Sequence, residues 1–264
     1  MHSRMLGTAF LFIVLLLSTS SLSQAAGFIA GHSTANGFAA IPEPFLARVR
    51  EQLHIYYNHT SHGSQLVTGL NMLAGQGVAL PGGLHDAAST DLGDSSWPDI
   101  TRTYLENNPA TNVVMWSWCG QLNWMSEAAV DTYLAAMAAL ETDYPAVAFV
   151  YMTGHLDGSG LDGTLYRNNE RIRAYCRENG KVLFDFADIE SFDPANSSYP
   201  DGSDVCEWCE DWCQSHECPS CGDCAHSHCF NCFRKGQALW GLLARLVGYR
   251  GSGGLTAANV LLFM

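Results

Sequence analysis

Two short stretches bring together side chains that can move protons and attack carbonyl groups. In residues 54–66, HIYYNHTSHGSQL, a short apolar run leads straight into His59, Thr60, Ser61, His62, Gly63 and Ser64. In residues 222–232, GDCAHSHCFNC, Asp223 and His226 are separated by two residues. That spacing lets a carboxylate hold one imidazole nitrogen while the other faces a nucleophile. A serine hydroxyl is weak alone, but hydrogen-bonded to an imidazole it can lose its proton as it attacks an acyl carbon. Ser61, His226 and Asp223 are therefore the pieces of an acyl-transfer triad. His228 is the rival base, and Ser64 suits a helix cap better than a nucleophile.

The elements that must position these groups can be read from apolar periodicity. A strand is expected over residues 54–58, followed by a helix with Leu66, Leu70 and Leu73 on one face, so Ser61 stands on a strand-loop-helix corner. Residues 26–44 read as an arm with little regular structure, and residues 75–98 as a long irregular loop. Further strands are expected in NVVMWS, AVAFVYM and KVLFDFA, and a helix between the first two starts at a Ser126 cap. A last helix begins near Phe233, with Leu239, Leu242, Leu243 and Leu246 on one face. Apolar strands alternating with amphipathic helices predict an α/β fold, three-layer α/β/α with a mostly parallel central sheet. In such sheets reactive groups gather in loops after the carboxyl ends of strands. Asn58, Ser117 and Met152 each end a strand of that kind. His155, in the loop after Met152, is thus expected to line a pocket, together with His59, His62 and Trp118. Trp116 and Trp124 flank the same region and are ordinary core aromatics unless a ligand stacks on them.

With these residues in view, the order of elements resembles the SGNH or GDSL-type esterase and lipase superfamily over roughly residues 53–248. HTSHGSQL resembles a variant of its nucleophile block and DCAH its final Asp-x-x-His block. The resemblance implies Ser61 as nucleophile, His226 as base and Asp223 as its orienting carboxylate. It further implies an oxyanion hole formed by the backbone of Ser61, by Gly93 and by Gln121, with no metal or organic cofactor. His59-Thr60 stands where the family has Gly-Asp, and WCGQ where it has Gly-x-Asn-Asp. The implied substrate is a small-molecule or polysaccharide ester.

Ten cysteines are present, eight of them between Cys206 and Cys232. Residues 201–232 read as a cysteine-rich insertion in a single domain spanning 26–264. Cys206, Cys209, Cys213, Cys218, Cys221, Cys224, Cys229 and Cys232 are expected as disulfides. A structural zinc site is the alternative, because three C-x-x-C pairs occur and His216, His226 and His228 lie nearby. Cys119 and Cys176 stand apart and could pair with each other or with the cluster. Residues 1–25 have the pattern of a signal peptide: Arg4, an apolar run from Ala9 to Leu17, and small residues up to Ala25. A secreted, periplasmic or extracellular protein with no stable membrane span after cleavage is the expectation, and export favours disulfides over zinc. The formal net charge of −13 and the lack of Lys/Arg clusters argue against nucleic acid as a partner. Asn58-His59-Thr60 matches a glycosylation pattern, yet sugar there would crowd Ser61, so the match reads as accidental. A non-catalytic binding protein on a hydrolase scaffold is the rival to an enzyme.

Overall fold

The apolar runs become neighbouring strands of one sheet in the structure, a computed structural model that describes residues 27–251. The expected signal peptide and the apolar tail NVLLFM lie outside the described residues. Among the described residues the strands are β1 (Phe28–Ala30), β2 (His54–Asn58), β3 (Gly83–Asp86), β4 (Val113–Trp116), β5 (Ala148–Met152) and β6 (Val182–Phe184). Their spatial order is β1-β6-β5-β4-β2-β3, and every pair is parallel. All four residues of β4 are buried, as expected of a strand covered on both faces by helices. From β2 the chain moves to β3 on one side and then to β4 on the other. The crevice at this reversal, beyond the carboxyl ends of β2 and β4, is where such sheets bind ligands.

The principal helices are α1 (His32–Asn36), α2 (Glu43–Gln52), α3 (Ser61–Gly75), α4 (Trp97–Asn107), α5 (Glu127–Asp143), α6 (Thr164–Glu178), α7 (Phe186–Ser191), α8 (Glu207–Ser215) and α9 (Cys229–Leu246). α1, α2, α3 and α7 pack on α9, whereas α5 packs on α4 and α6, giving the two outer layers. α9 starts four residues before the expected Phe233, because His228 caps it: the ring Nδ1 accepts from Phe230 N at 3.0 Å. Two expectations are corrected. The supposed N-terminal arm holds β1, α1 and the start of α2, whose Pro44 sits in the first turn, where a missing N–H costs nothing. The loop at 75–98 contains the edge strand β3.

α3 and α9 cross with no side chain between them at Gly69 and Gly236. A Cβ on Gly69 would lie 2.0 Å from Cys232 O, and one on Gly236 would lie 2.4 Å from Gly69 C. This close approach sets Gln65 of α3 beside Lys235 of α9. Among the described residues, no helix is long and apolar enough to cross a membrane.

The cysteine-rich segment carries α8 and four disulfides, Cys206–Cys209, Cys213–Cys218, Cys221–Cys229 and Cys224–Cys232. The zinc alternative therefore has no thiolates left in this segment. Cys119 and Cys176 are both free rather than paired, and burial pushes the Cys176 thiol up to about 12, so it is inert. Disulfides of this density suit an oxidising, extracellular compartment.

Candidate functional site

β2 ends in Asn58, a wholly buried residue whose carboxamide oxygen accepts from His59 N, Ser89 N and Thr90 N at 3.0, 3.0 and 3.2 Å. A glycan cannot occupy that nitrogen, which donates to Tyr56 Oη at 3.1 Å. The chain then turns into α3 at Thr60, whose hydroxyl donates to Asp91 Oδ2 at 2.5 Å. Gly63 lets the first turn of α3 sit tight on the end of β4. A Cβ there would lie 2.2 Å from Ser117 Oγ and 2.3 Å from His59 Cβ. That contact brings Ser61 and His62 against Cys119.

His62 is the centre of the arrangement. Its Nδ1 lies 3.3 Å from Cys119 Sγ and its Nε2 lies 2.9 Å from Asp204 Oδ2. A carboxylate only accepts, so the neutral ring carries its proton on Nε2 and turns the Nδ1 lone pair toward the thiol. Ser61 Oγ lies 3.3 Å from the same sulfur. The rings of His155 and His226 stack on His62, with centroids 3.9 and 4.6 Å away. Burial holds His62 below its ordinary value of 6.5; the Asp204 hydrogen bond opposes this, and the neighbouring imidazoles reinforce it. Burial would raise the Asp204 carboxyl, but the His62 hydrogen bond and the three imidazoles prevail and hold it below the usual range. The neutral ring can accept the Cys119 proton while Asp204 stabilises the imidazolium that forms.

The expected site residues fall into separate places. Ser61 reaches the site, but its hydroxyl meets Cys119, not an imidazole. His226 arrives beside His62 as a stacked ring. No hydrogen bond joins it to Asp223, both being exposed. The disulfides from Cys221 and Cys224 shape this loop, and His226 sits at its tip with a left-handed φ of 61°. Spacing along the chain therefore does not translate into a carboxylate–imidazole contact. Gly93 and Gln121 do lie together, yet Gly93 N and Gln121 Nε2 both donate to Asp91 Oδ1, at 2.8 and 2.9 Å. The Gly93 N–H and one N–H of the Gln121 amide are therefore turned to a carboxylate. Gln121 serves Cys119 differently: its Oε1 accepts from Cys119 N at 3.0 Å.

Among the expected pocket residues, His155 and His62 are in the site, and His59 and Trp118 are not. His59 faces Asp86 Oδ1 at 2.7 Å and Thr60 O at 2.9 Å, leaving neither nitrogen for chemistry. Trp118 is buried and donates to Met152 O at 3.0 Å. Trp124, by contrast, is 71% exposed and lies against Gly120, next to Cys119.

Asp204 and Cys119 were not expected in the site. Asp204 belongs to no motif, and the backbone places it: Gly158 N donates to Gly202 O at 3.1 Å, and Asp157 bridges to Ser203, which ties the segment to the His155 loop. Cys119 does carry a signal in the sequence, because a cysteine outside a densely paired cluster is a candidate free thiol.

Beneath the site runs a buried polar network. Lys235 Nζ, fully buried, donates to Glu190 Oε1 at 2.6 Å and to Gln65 Oε1. Glu190 Oε2 accepts from Leu156 N at 2.6 Å, and Gln65 Nε2 donates to Ala225 O at 2.5 Å. Trp208 Nε1 donates to Glu190 O at 2.8 Å. Burial pulls the Lys235 ammonium down while the Glu190 carboxylate opposes it. The network thereby connects the segments bearing His62, His155, Asp204 and His226.

No protein-family model matches this chain, and no curated protein sequence matches it.

Proposed function

We propose that the protein is an exported hydrolase that cleaves an acyl ester through a covalent intermediate on Cys119, with His62 as base and Asp204 as its orienting carboxylate. The observation that carries this reading is the bridging position of His62, 3.3 Å from Cys119 Sγ and 2.9 Å from Asp204 Oδ2 in the crevice between β2 and β4. In the reaction, His62 Nδ1 takes the thiol proton as sulfur attacks the ester carbonyl. The imidazolium returns that proton to the leaving alcohol, and water, activated by the same nitrogen, hydrolyses the thioester to acid and free thiol. The first amides of α3 have no acceptor within the helix and lie at the Ser61 end, where they suit an oxyanion. Ser61 itself contacts the sulfur and positions it. The resemblance to SGNH-type hydrolases supports the reaction class, although the nucleophile moves from serine to cysteine. Exposed Trp124 beside Gly120 supports a sugar-linked ester, since an open aromatic face stacks on a pyranose ring. Residues 1–25 would direct export and be removed.

The test is hydrolysis of p-nitrophenyl acetate by the folded, oxidised protein and its variants. Cys119→Ala should abolish turnover, and Asp204→Asn should lower kcat by about a hundredfold or more. Activity that survives in Cys119→Ala but vanishes in Ser61→Ala would return the nucleophile to Ser61. Equal rates in all three would remove the hydrolase reading.

A further inference from the structure

Three imidazoles and a carboxylate converge where acyl transfer needs one of each. Donor atoms of His62, His155 and Asp204 all lie within 4.8 Å of one another. Both histidines are 8% exposed, and their rings are nearly parallel, at 3°. Histidine binds metals as the neutral ring, through the nitrogen that carries a lone pair.

His155 is held in the tautomer this needs, whereas His62 must move its proton from Nε2 to Nδ1. His155 Nδ1 lies 2.6 Å from Leu156 O, an acceptor, so Nδ1 holds the proton and Nε2 carries the lone pair. Among the described residues, His155 Nε2 has no hydrogen-bond partner. A ring nitrogen pinned on a backbone carbonyl while the other waits is the outer support that metal-bound histidines use. His62 has the same support on offer. If its Nε2 were to bind a cation, its Nδ1 proton would face Cys119 Sγ at 3.3 Å.

We propose that His62, His155 and Asp204 form a binding site for a borderline divalent transition cation of the zinc class. Two imidazoles and one carboxylate suit such an ion, whereas calcium and magnesium prefer all-oxygen sites. A tetrahedral ion with bonds of about 2.0–2.2 Å holds its ligands roughly 3.3–3.6 Å apart. With no donor pair farther apart than 4.8 Å, the ligands must therefore close by at most about 1.5 Å, and the His62–Asp204 pair must open by about half an ångström, from 2.9 Å. Water fills the fourth position. The backbone under the ligands is fixed by Glu190, which accepts from Leu156 N, and by the Gly158–Gly202 contact.

Binding of the ion stands apart from the proposed hydrolase, but its consequence rests on that reading. A cation on His62 Nε2 fixes the proton on Nδ1, and the ring can no longer accept one from Cys119. The metal-loaded protein is then a poor acyl-transfer catalyst, and chelation restores it.

The experiment is calorimetric titration of the metal-stripped, oxidised protein with Zn²⁺, without reductant or substrate, so that its outcome does not depend on hydrolysis. The expected result is one saturable site, weakened at least about tenfold in both His155→Ala and His155→Gln and in Asp204→Asn, with near-ultraviolet circular dichroism unchanged. Cys119→Ser should bind within about threefold of the parent, because the thiol is a support and not a ligand. No saturable binding near one equivalent would overturn the proposal. So would parental affinity in both His155 variants, loss of binding in Cys119→Ser alone, or Ca²⁺ binding as tightly as Zn²⁺. If Zn²⁺ binds as expected but leaves ester hydrolysis untouched, the site stands and the role of His62 as base falls.

Discussion

Ser61, His62, Cys119 and His155 hang from the carboxyl ends of β2, β4 and β5, whereas Asp204 and His226 come from a segment with no strand in the sheet. On the sheet side, position follows from register: Tyr57 pairs with Met115 and Asn58 with Trp116, so the residues just beyond β2 and β4 meet without any covalent help. On the other side, disulfides, one short bridge to the His155 loop and the pair Lys235–Glu190 do that work. A ladder of backbone hydrogen bonds tolerates many side chains. A loop held at a few points depends on each of them, so the two halves should fail under different insults.

The largest effect is expected where the halves are joined. Lys235→Met leaves Glu190 charged and buried without its cation, and breaking a buried pair in this way costs about 3–5 kcal/mol. Urea unfolding should show this as a lowered midpoint, and a change below about 1 kcal/mol would mean that the network is not what joins the halves. Removal of the Cys224–Cys232 link by the double change to alanine comes next. Its sequence separation of 8 corresponds to about 2.5 kcal/mol of loop-closure entropy. Far-ultraviolet circular dichroism should stay parental while Cys119 becomes faster to alkylate, because the His226 loop loosens over an intact sheet. Loss of the sheet signal in that variant would erase the distinction between the halves.

The smallest effect concerns pH. His62 is held below 6.5 when folded, so between that value and its folded one the unfolded chain binds more protons. Its contribution is complete above pH 6.5 and is lost as the pH falls through the folded value. Asp204, lowered from 3.8, adds a loss of the same sign at more acidic pH. The difference in urea midpoint between pH 7 and pH 5 should therefore shrink in His62→Gln, and an unchanged difference would place the titrating group elsewhere.

Much of the sheet side was legible in the sequence. NVVMWS and AVAFVYM are long apolar runs, and a reactive corner after HIYYN follows from strand, polar turn and helix. The two strands not legible there are FIA and GLHD, edge strands of three and four residues, too short for any periodicity to declare itself. The stapled side was barely legible. Asp-x-x-His is a spacing along the chain, and disulfide-shaped backbone sent Asp223 to solvent. The carboxylate that meets the imidazole at the centre of the site, Asp204, lies 142 residues from its partner His62. Lys235 stands in FRKGQALW, where a lysine reads as a solvated position. Only the Gly69–Gly236 crossing, invisible without the other helix, explains why it is buried.

That buried lysine also sets an order in time. Gln65 precedes Lys235 by 170 residues and Glu190 precedes it by 45. At synthesis rates of about 5–20 residues per second, the chain exists for on the order of ten seconds with Ser61 and His62 already made and no cation to draw their helix against Glu190. A nascent or prematurely ended chain can thus carry every reactive side chain in its sequence and still be silent. Among the described residues, the last helix to emerge arms the molecule.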